Sequence, residues 1–236
     1  MLRVLVTRPE PGASRTARRL ADAGFQPILL PLTETAALPV EAGALADAAA
    51  AVAVTSANAV RHAPKEVIAG LARLPCQAVG KKTAEAARRA GFLSVGEGPG
   101  NAKALADALA GGYAGQTIVY LCGRVRFPDF EERLFASGVH VRAVETYDTF
   151  ALDYSDEAVL ARLSARPVEA VLLYSAKAAT AMQALASRPA LRGLFQDTRF
   201  FALSGRIAEA LGEVAGIRIA PEPSEDALLG LLQASR

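Results

Sequence analysis

Two stretches of ten residues decide the fold of this chain: AVAVTSANAV at residues 51–60 and AVLLYSAKAA at residues 170–179. Each begins as a run of small and aliphatic residues, reaches a hydroxyl side chain, and continues into an Ala-rich segment. Continuous apolar runs are typical of strands buried on both faces of a parallel sheet, and a following Ser or Thr is a favoured helix N-cap. The sequence therefore predicts one kind of strand-to-helix corner twice, at Thr55-Ser56 and at Ser175.

The rest of the 236 residues continues this alternation of short apolar runs with Ala-rich helical segments. Helices are predicted at 12–24, 81–91 and 205–216, each closed by a glycine suited to a helix C-terminus. The alternation predicts an α/β fold built on parallel sheets with helices on both faces. The predicted strands cover residues 3–6, 27–30, 51–55, 76–79, 117–121, 140–144, 169–174 and 199–203.

Four segments recur in the same order, which indicates an internal duplication. Each first segment has a strand, an Arg-bearing loop, a helix, a glycine and a second strand. The matching pairs are 2–35 with 116–149, 51–60 with 170–179, 78–91 with 201–216, and 100–109 with 224–232. Two similar halves facing a shared cleft are expected, and such clefts are common ligand sites.

Two ways of dividing the chain into domains are open. A tandem arrangement places a linker at Gly111-Gly112, where Gly and Ala are dense. The segments LPLTETAAL at 30–38 and VETYDTFAL at 144–152 are extended, Thr-rich and alike, as a pair of crossing connections would be. If both cross, the first segment of the chain joins its second half.

Composition and charge exclude several classes of function. The formal net charge of +2 is too small to indicate a nucleic-acid or membrane partner. Cys76 and Cys122 lack partners at ligand spacing, so neither a zinc site nor a disulfide framework is predicted, and His62 and His140 are isolated. With no apolar run of membrane-spanning length and no signal-peptide pattern, we expect a cytoplasmic protein with reduced thiols.

Six groups of residues carry a resemblance to a known family. Each motif occurs widely by itself, but their order, their spacing, the repeats and the chain length together make a specific pattern. They are Arg8-Pro9; Thr55-Ser56-Ala57-Asn58-Ala59-Val60; Ala78-Val79-Gly80 with Thr83-Ala84; Gly123-Arg124; Glu145-Thr146-Tyr147; and Tyr174-Ser175. In these residues the chain resembles uroporphyrinogen-III synthases over nearly its whole length.

The resemblance implies a particular domain organisation. It consists of two similar small, flavodoxin-like α/β domains with parallel sheets, joined by a two-stranded β ladder, with the ligand cleft between them. One domain is discontinuous, formed by 1–34 and 148–236, and the inserted domain is 35–147. This division favours the crossing connections over a linker at Gly112.

The resemblance also implies a reaction. The family closes the linear tetrapyrrole hydroxymethylbilane with loss of water and inversion of ring D, without metal or organic cofactor. We therefore expect a monomer that binds hydroxymethylbilane, contacts the upstream hydroxymethylbilane synthase transiently, and binds no nucleic acid or membrane. Tyr147 matches the family's tyrosine at this strand end and is implied to help the hydroxyl leave, since a phenol ordinarily stays protonated at neutral pH and can donate.

Binding this substrate means holding the carboxylates of its acetate and propionate groups. Free N–H groups at helix N-termini suit anions without many basic side chains, although Ser and Thr cap helices in proteins of any function. Where the family often has a threonine at the last helix start, this chain has Ser204-Gly205-Arg206, and we expect Arg206 to pair with a carboxylate instead. The implied binding residues are Arg8, Thr55, Ser56, Asn58, Thr83, Gly123, Arg124, Ser175, Ala176, Lys177, Ser204, Gly205 and Arg206.

Three other functions stay open. A duplicated α/β pair could bind or sense an anionic ligand without catalysis, and a family member could keep the fold without the activity. A nucleotide-using protein is the third. GPGNAK at 98–103 counts against it, because this stretch matches neither GxGxxG nor GxxxxGK[ST] and is better interpreted as a loop with a helix cap at Asn101.

Overall fold

The computed structural model describes residues 1–41, 47–126, 128–214 and 216–235. These residues form eleven strands and eleven helices. The strands are β1 (Arg3–Val6), β2 (Gln26–Leu29), β3 (Thr33–Ala37), β4 (Ala49–Val54), β5 (Cys76–Ala78), β6 (Val95–Glu97), β7 (Thr117–Gly123), β8 (His140–Ala151), β9 (Ala170–Leu173), β10 (Arg199–Ala202) and β11 (Ile217–Ile219). The helices are α1 (Gly12–Asp22), α2 (Ala57–Arg61), α3 (Lys65–Leu71), α4 (Lys81–Ala90), α5 (Ala102–Tyr113), α6 (Asp129–Ala136), α7 (Asp156–Leu163), α8 (Ala176–Ala186), α9 (Arg192–Phe195), α10 (Gly205–Leu211) and α11 (Glu225–Gln233).

The chain divides into two compact units, each with its own sheet. Unit 1 comprises Met1–Glu34 and Phe150–Arg236, and unit 2 comprises Thr35–Thr149. One sheet has the strand order β11-β10-β9-β1-β2, and the other has the order β3-β8-β7-β4-β5-β6. Both are built mainly from parallel pairs such as β1 with β9 and β4 with β7. The predicted α/β fold with parallel sheets is confirmed.

Each unit contains one copy of every repeated segment. In unit 1, β1 and β2 come from segment 2–35, whereas β9 and β10 come from the second half of the chain. In unit 2, β7 and β8 come from segment 116–149, whereas β4 and β5 come from the first half. The strand order β11-β10-β9-β1-β2 then corresponds strand by strand to β6-β5-β4-β7-β8. The two copies of the duplication have therefore exchanged their first segments.

The chain passes from one unit to the other within β3 and β8, which are hydrogen-bonded neighbours. These strands coincide with the two Thr-rich segments that the sequence marked as crossing connections. The alternative linker at Gly111-Gly112 is wrong, because both glycines lie inside α5.

Several element boundaries differ from the sequence-based ones. The strand predicted at 140–144 continues to Ala151, because the extended segment after it belongs to the same strand. β6 and β11 were not predicted, and both are three-residue edge strands without the apolar run of a central strand. The helix predicted at 205–216 ends at Leu211, since Gly212 follows with a φ of 81°; Ala215 lies outside the described residues.

Both faces of each sheet are buried, which explains why the central strands are continuously apolar. Along β1, Leu5 packs into one hydrophobic cluster while Val4 and Val6 pack into another on the opposite face. Along β4, Val52 and Val54 face α2 and α3, whereas Ala51 and Ala53 belong to the cluster that contains α5 and α6. Alternation across a strand places neighbouring side chains on opposite faces, so such a strand has no polar face.

A buried arginine at the start of β1 closes the C-terminal end of α7. Arg3 is 5% exposed, and its guanidinium donates to the carbonyl oxygens of Leu163 at 2.6 Å and of Arg166 and Pro167 at 2.7 Å. The Leu163 carbonyl oxygen, at the end of α7, also accepts from the backbone N–H of Arg166 at 3.2 Å, so Arg3 supplies its second donor. Burial, together with the nearby Arg166 charge, lowers the pKa of Arg3.

Replacing Arg3 with methionine should lower the free energy of unfolding by about 1–3 kcal/mol, because the charge-assisted hydrogen bonds to the carbonyl oxygens of Leu163, Arg166 and Pro167 are lost. Arg166→Met removes an exposed guanidinium at the same helix end and is the matched control. Urea unfolding followed by circular dichroism measures both variants; an equal loss in the two would contradict the role given to Arg3.

Candidate functional site

The binding residues implied by the sequence fall into two groups, one in each unit, at the carboxyl ends of neighbouring strands. In unit 1, Arg8 follows β1, Ser175 follows β9 and Ser204 follows β10. In unit 2, Ser56 follows β4 and Gly123 ends β7. Ligands of α/β proteins usually bind at this edge of the sheet, where the following helices begin.

In unit 2 the Thr55-Ser56 corner lies in a small network of hydroxyl groups. Ser56 is the N-cap of α2, and its Oγ accepts from the backbone N–H of Asn58 at 3.2 Å. The phenol of Tyr147 donates to the same Oγ at 3.2 Å. Thr55 Oγ1 lies 2.7 Å from the phenol oxygen of Tyr120. The structure thus brings Tyr147 to the corner and adds Tyr120, a residue that sequence reasoning missed.

The ring of Tyr147 lies directly against the backbone of Gly123. A Cβ atom added to Gly123 would be 2.6 Å from Tyr147 Cζ and 2.9 Å from its hydroxyl oxygen. No side chain fits in that space without moving the ring, so the glycine at the end of β7 determines where Tyr147 lies. The only sequence signal was the glycine itself, preceding Arg124 at a strand end.

Arg124 is engaged by acids of its own unit. Its Nε lies 3.1 Å from Glu145 Oε2, and its Nη1 lies 3.8 Å from Asp148 Oδ2. Arg126 also pairs with Glu145, at 3.0 Å, and with Glu131, at 2.8 Å. Hydrogen bonds from Arg124 and Arg126 hold the pKa of Glu145 below its usual range.

The basic cluster RVRF at 124–127 has a sequence pattern typical of a solvated face. Instead, Arg126 has a side chain only 23% exposed, and it joins the β7–α6 connection to β8. Phe127 lies outside the described residues. Charge pattern alone could not find Glu145 as a partner, because it is 21 residues from Arg124 and 19 from Arg126 in sequence.

In unit 1, Arg8 is paired with the acid Glu225. Arg8 Nη1 lies 3.1 Å from Glu225 Oε1, and its guanidinium carbon lies 4.3 Å from the centre of the Tyr174 ring. Glu225 also pairs with Arg19 at 3.2 Å and accepts hydrogen bonds from Thr16 and Tyr174. A carboxylate of a ligand would have to share Arg8 with this internal partner.

The pKa of Glu225 reflects two opposing effects. Burial acts to raise it, but the hydrogen bond from Thr16 and the charges of Arg8 and Arg19 outweigh burial and leave the pKa below its usual range. In the sequence, Glu225 is marked only by its place in the last repeated helix. Its meeting with Arg8 requires the exchanged first segment, which the local sequence of α11 does not reveal.

The remaining helix starts differ in how they are capped. Ser175 Oγ accepts from the backbone N–H of Ala178 at 3.2 Å, and Ala176 and Lys177 begin α8. Ser204 occupies the N-cap position of α10 without a side-chain capping bond, and Gly205 and Arg206 follow in the first turn.

Thr83 and Asn58 both lie inside helices of unit 2. Thr83 does not precede its helix: it is a buried residue in the first turn of α4, and Gly80 holds the N-cap position. The helix begins at Lys81, where the sequence predicted it. Asn58 lies inside α2, where its Oδ1 accepts from Arg61 Nη1 at 3.1 Å.

The described residues lack what a metal site and a reactive thiol require. No cluster of three or more His, Cys, Asp or Glu side chains there could hold a metal ion. Burial raises the pKa of both Cys76 and Cys122 to about 12, so neither is a thiolate at neutral pH. No helix in those same ranges is long and apolar enough to cross a membrane.

Gly123→Ala should displace the Tyr147 ring and lower the free energy of unfolding by about 1–3 kcal/mol, the usual cost of overpacking. Gly111→Ala is the matched control, because its added Cβ meets nothing within 4 Å. Chemical denaturation gives the stabilities, and the Tyr147 ring signals in NMR spectra report its displacement. Unchanged ring signals in Gly123→Ala would count against the close contact.

Glu225→Gln should destabilise the protein by about 1–3 kcal/mol at pH 7, because hydrogen bonds to a charged group are lost. Since the folded-state pKa of Glu225 is lowered, its charge stabilises the fold above the unfolded-state pKa near 4.3, and this contribution disappears as pH falls through the lower folded-state value. The deficit should therefore shrink below about pH 4. Urea unfolding across this range tests it, with the exposed Glu209→Gln as control; a deficit independent of pH would contradict the ion-pair account.

Comparison with known proteins gives the family and the fold. The family model described as uroporphyrinogen-III synthase HemD matches residues 14–230. A structure of uroporphyrinogen-III synthetase from Helicobacter pylori is 17% identical, with all of both chains covered and a TM-score of 0.66. A mutant uroporphyrinogen III synthase from the extremely thermophilic bacterium Thermus thermophilus is 20% identical, with 100% of this chain and 99% of that chain covered and a TM-score of 0.59. At these identities the two structures show a shared fold, and no significant match to a curated protein sequence was found.

Proposed function

The chain belongs to the uroporphyrinogen-III synthase family, and we propose that it cyclises hydroxymethylbilane to uroporphyrinogen III, with loss of water and inversion of ring D. The observation that carries this proposal is the family match over residues 14–230. The fold shared with two solved synthases is consistent with it. The reaction makes the protein a cyclising lyase of tetrapyrrole biosynthesis.

This reaction depends more on how the enzyme positions the substrate than on a reactive side chain. Ring A loses its hydroxyl group to give an electrophilic azafulvene, and ring D attacks through its substituted carbon. The resulting spiro intermediate fragments and closes again in the inverted sense. Spontaneous closure in water gives the uninverted isomer, so the enzyme must hold the substrate in the geometry that favours the other attack and keep water away.

Tyr147 is proposed to donate a hydrogen bond to the departing hydroxyl of ring A. Its phenol donates to Ser56 Oγ at 3.2 Å, which is longer than the 2.7–2.8 Å typical of O–H···O bonds. Such a bond is readily exchanged for one to a substrate oxygen. Assistance of this kind contributes about 10²- to 10⁴-fold to a rate.

Carboxylates of the substrate are proposed to bind the residues at the carboxyl ends of the strands in each unit. In unit 2, the hydroxyl groups of Thr55 and Ser56 are available, and Arg124 adds a cation that Glu145 partly neutralises. In unit 1, the start of α8 at Ser175 is available, with Arg8 beside Tyr174. Hydroxyl and backbone donors serve anions without a large net charge, consistent with +2 for the whole chain.

The cellular setting belongs to the same proposal. A synthase of this kind would act in the cytoplasm as a monomer. It would receive its unstable substrate through transient contact with hydroxymethylbilane synthase. Size-exclusion chromatography with light scattering tests the monomer, and a second copy in the eluted species would refute it.

The decisive experiment generates hydroxymethylbilane in situ with hydroxymethylbilane synthase, adds the protein, oxidises the products and separates the porphyrin isomers by chromatography. The type III isomer should dominate. If folded protein yields only type I, the synthase proposal fails and a non-catalytic binding protein of this fold is the remaining interpretation.

Tyr147→Phe should lower kcat for type III formation by about 10²-fold or more, within the range of acid–base assistance, without changing the fold. Tyr113→Phe, which removes a half-buried phenol from α5, is the control and should retain wild-type turnover. Undiminished turnover in Tyr147→Phe would remove this residue from the proposed role.

A further inference from the structure

Tyr120 is a buried phenol beneath the Thr55-Ser56 corner, and neither the family motifs nor the proposed chemistry uses it. It lies on β7, is 2% exposed, and packs among Leu105, Leu109 and Leu134. Its ring stacks at a tilt on Phe130 with centroids 4.6 Å apart. These contacts hold its hydroxyl group in one place, 2.7 Å from Thr55 Oγ1.

The proton in this hydrogen bond is best assigned to the phenol. Burial raises the pKa of Tyr120 to about 12, so the phenol keeps its proton at neutral pH. Among the described residues, Thr55 Oγ1 is the partner of this hydroxyl. If Thr55 donated instead, the buried phenol proton would have no acceptor, which is costly in a protein interior. Tyr120 therefore donates and Thr55 accepts.

This assignment fixes what Thr55 presents to its surroundings. The half-buried Thr55 hydroxyl accepts a hydrogen bond from Tyr120, so its own proton points away from Tyr120. The described residues offer that proton no acceptor. Ser56 is in the same state, since its Oγ accepts from the N–H of Asn58 and from Tyr147. Both hydroxyl groups of the corner thus present donors. Donors match the oxygen atoms of carboxylates.

We propose that Tyr120 is a positioning residue, which holds the Thr55 hydroxyl as a hydrogen-bond donor to a carboxylate of the ligand. The proposal rests on the proposed function for the identity of that ligand. Without the phenol, the Thr55 hydroxyl can rotate and present either its proton or its lone pairs. Binding then loses the advantage of a donor fixed in advance.

The test is a double-mutant cycle with Tyr120→Phe, Thr55→Val and the combined variant. The dissociation constant for uroporphyrin III, a stable octacarboxylate, is measured by fluorescence, and KM and kcat are measured in the coupled isomer assay. Tyr120→Phe should raise both Kd and KM about three- to ten-fold, the effect of one hydrogen bond, and leave kcat within about two-fold. Thr55→Val should weaken binding at least as much.

The combined variant distinguishes positioning from general damage. If Tyr120 acts through Thr55, adding Tyr120→Phe to Thr55→Val should change Kd no further, because the hydroxyl it orients is already gone. The free energy of unfolding, in contrast, should be higher in the combined variant than in Thr55→Val alone. Thr55→Val alone leaves the buried phenol without an acceptor, and the second substitution removes that unpaired group and recovers part of the loss. Tyr113→Phe is the control for removing a phenol beside the same hydrophobic cluster.

Additive effects on Kd, or an unchanged Kd in Tyr120→Phe, would overturn the positioning role. So would a wild-type protein that fails to bind uroporphyrin III. A wild-type protein that binds it but forms no type III isomer overturns the proposed reaction instead, while the binding cycle still decides the role of Tyr120.

Discussion

Burial of both faces of two mainly parallel sheets is the constraint on which the rest of the structure depends. A strand covered on both sides has no polar face, so polar groups are confined to its ends. Parallel neighbours bring those ends to one edge, where each following helix starts with unpaired N–H groups. Ser56 and Ser175 accept hydrogen bonds from two of these groups. The candidate site is a consequence of how the core is built.

The direction of hydrogen bonds gives this edge its chemical character. At the unit 2 corner, Tyr120, Tyr147 and a backbone N–H all point donors at Thr55 and Ser56. In unit 1, Glu225 supplies acceptors to Arg8, Arg19 and Thr16. The same kind of strand-to-helix corner is therefore supported by different side chains in the two units. Duplication conserved the backbone arrangement while the supporting side chains diverged.

The fold was largely predictable because its signals are local. Apolar runs such as 51–54 and the Ser56 cap each report on neighbouring residues, and the repeats add the duplication. The supporting contacts were not predictable for the opposite reason. Glu225 meets Arg8 across more than two hundred residues of chain, and Tyr120 meets Thr55 across 65.

The exchange of first segments also sets the order in which a nascent chain can complete its parts. Unit 2 is contiguous, whereas β1 of unit 1 must wait for its neighbour β9, which is synthesised roughly 140 residues after β2. At typical rates of translation this interval is roughly 7–28 s. During it, the apolar strand Arg3–Val6 has β2 on one side and an unpaired edge on the other. The N-terminal segment therefore carries an exposed strand edge, a template for unwanted strand pairing, until β9 is synthesised.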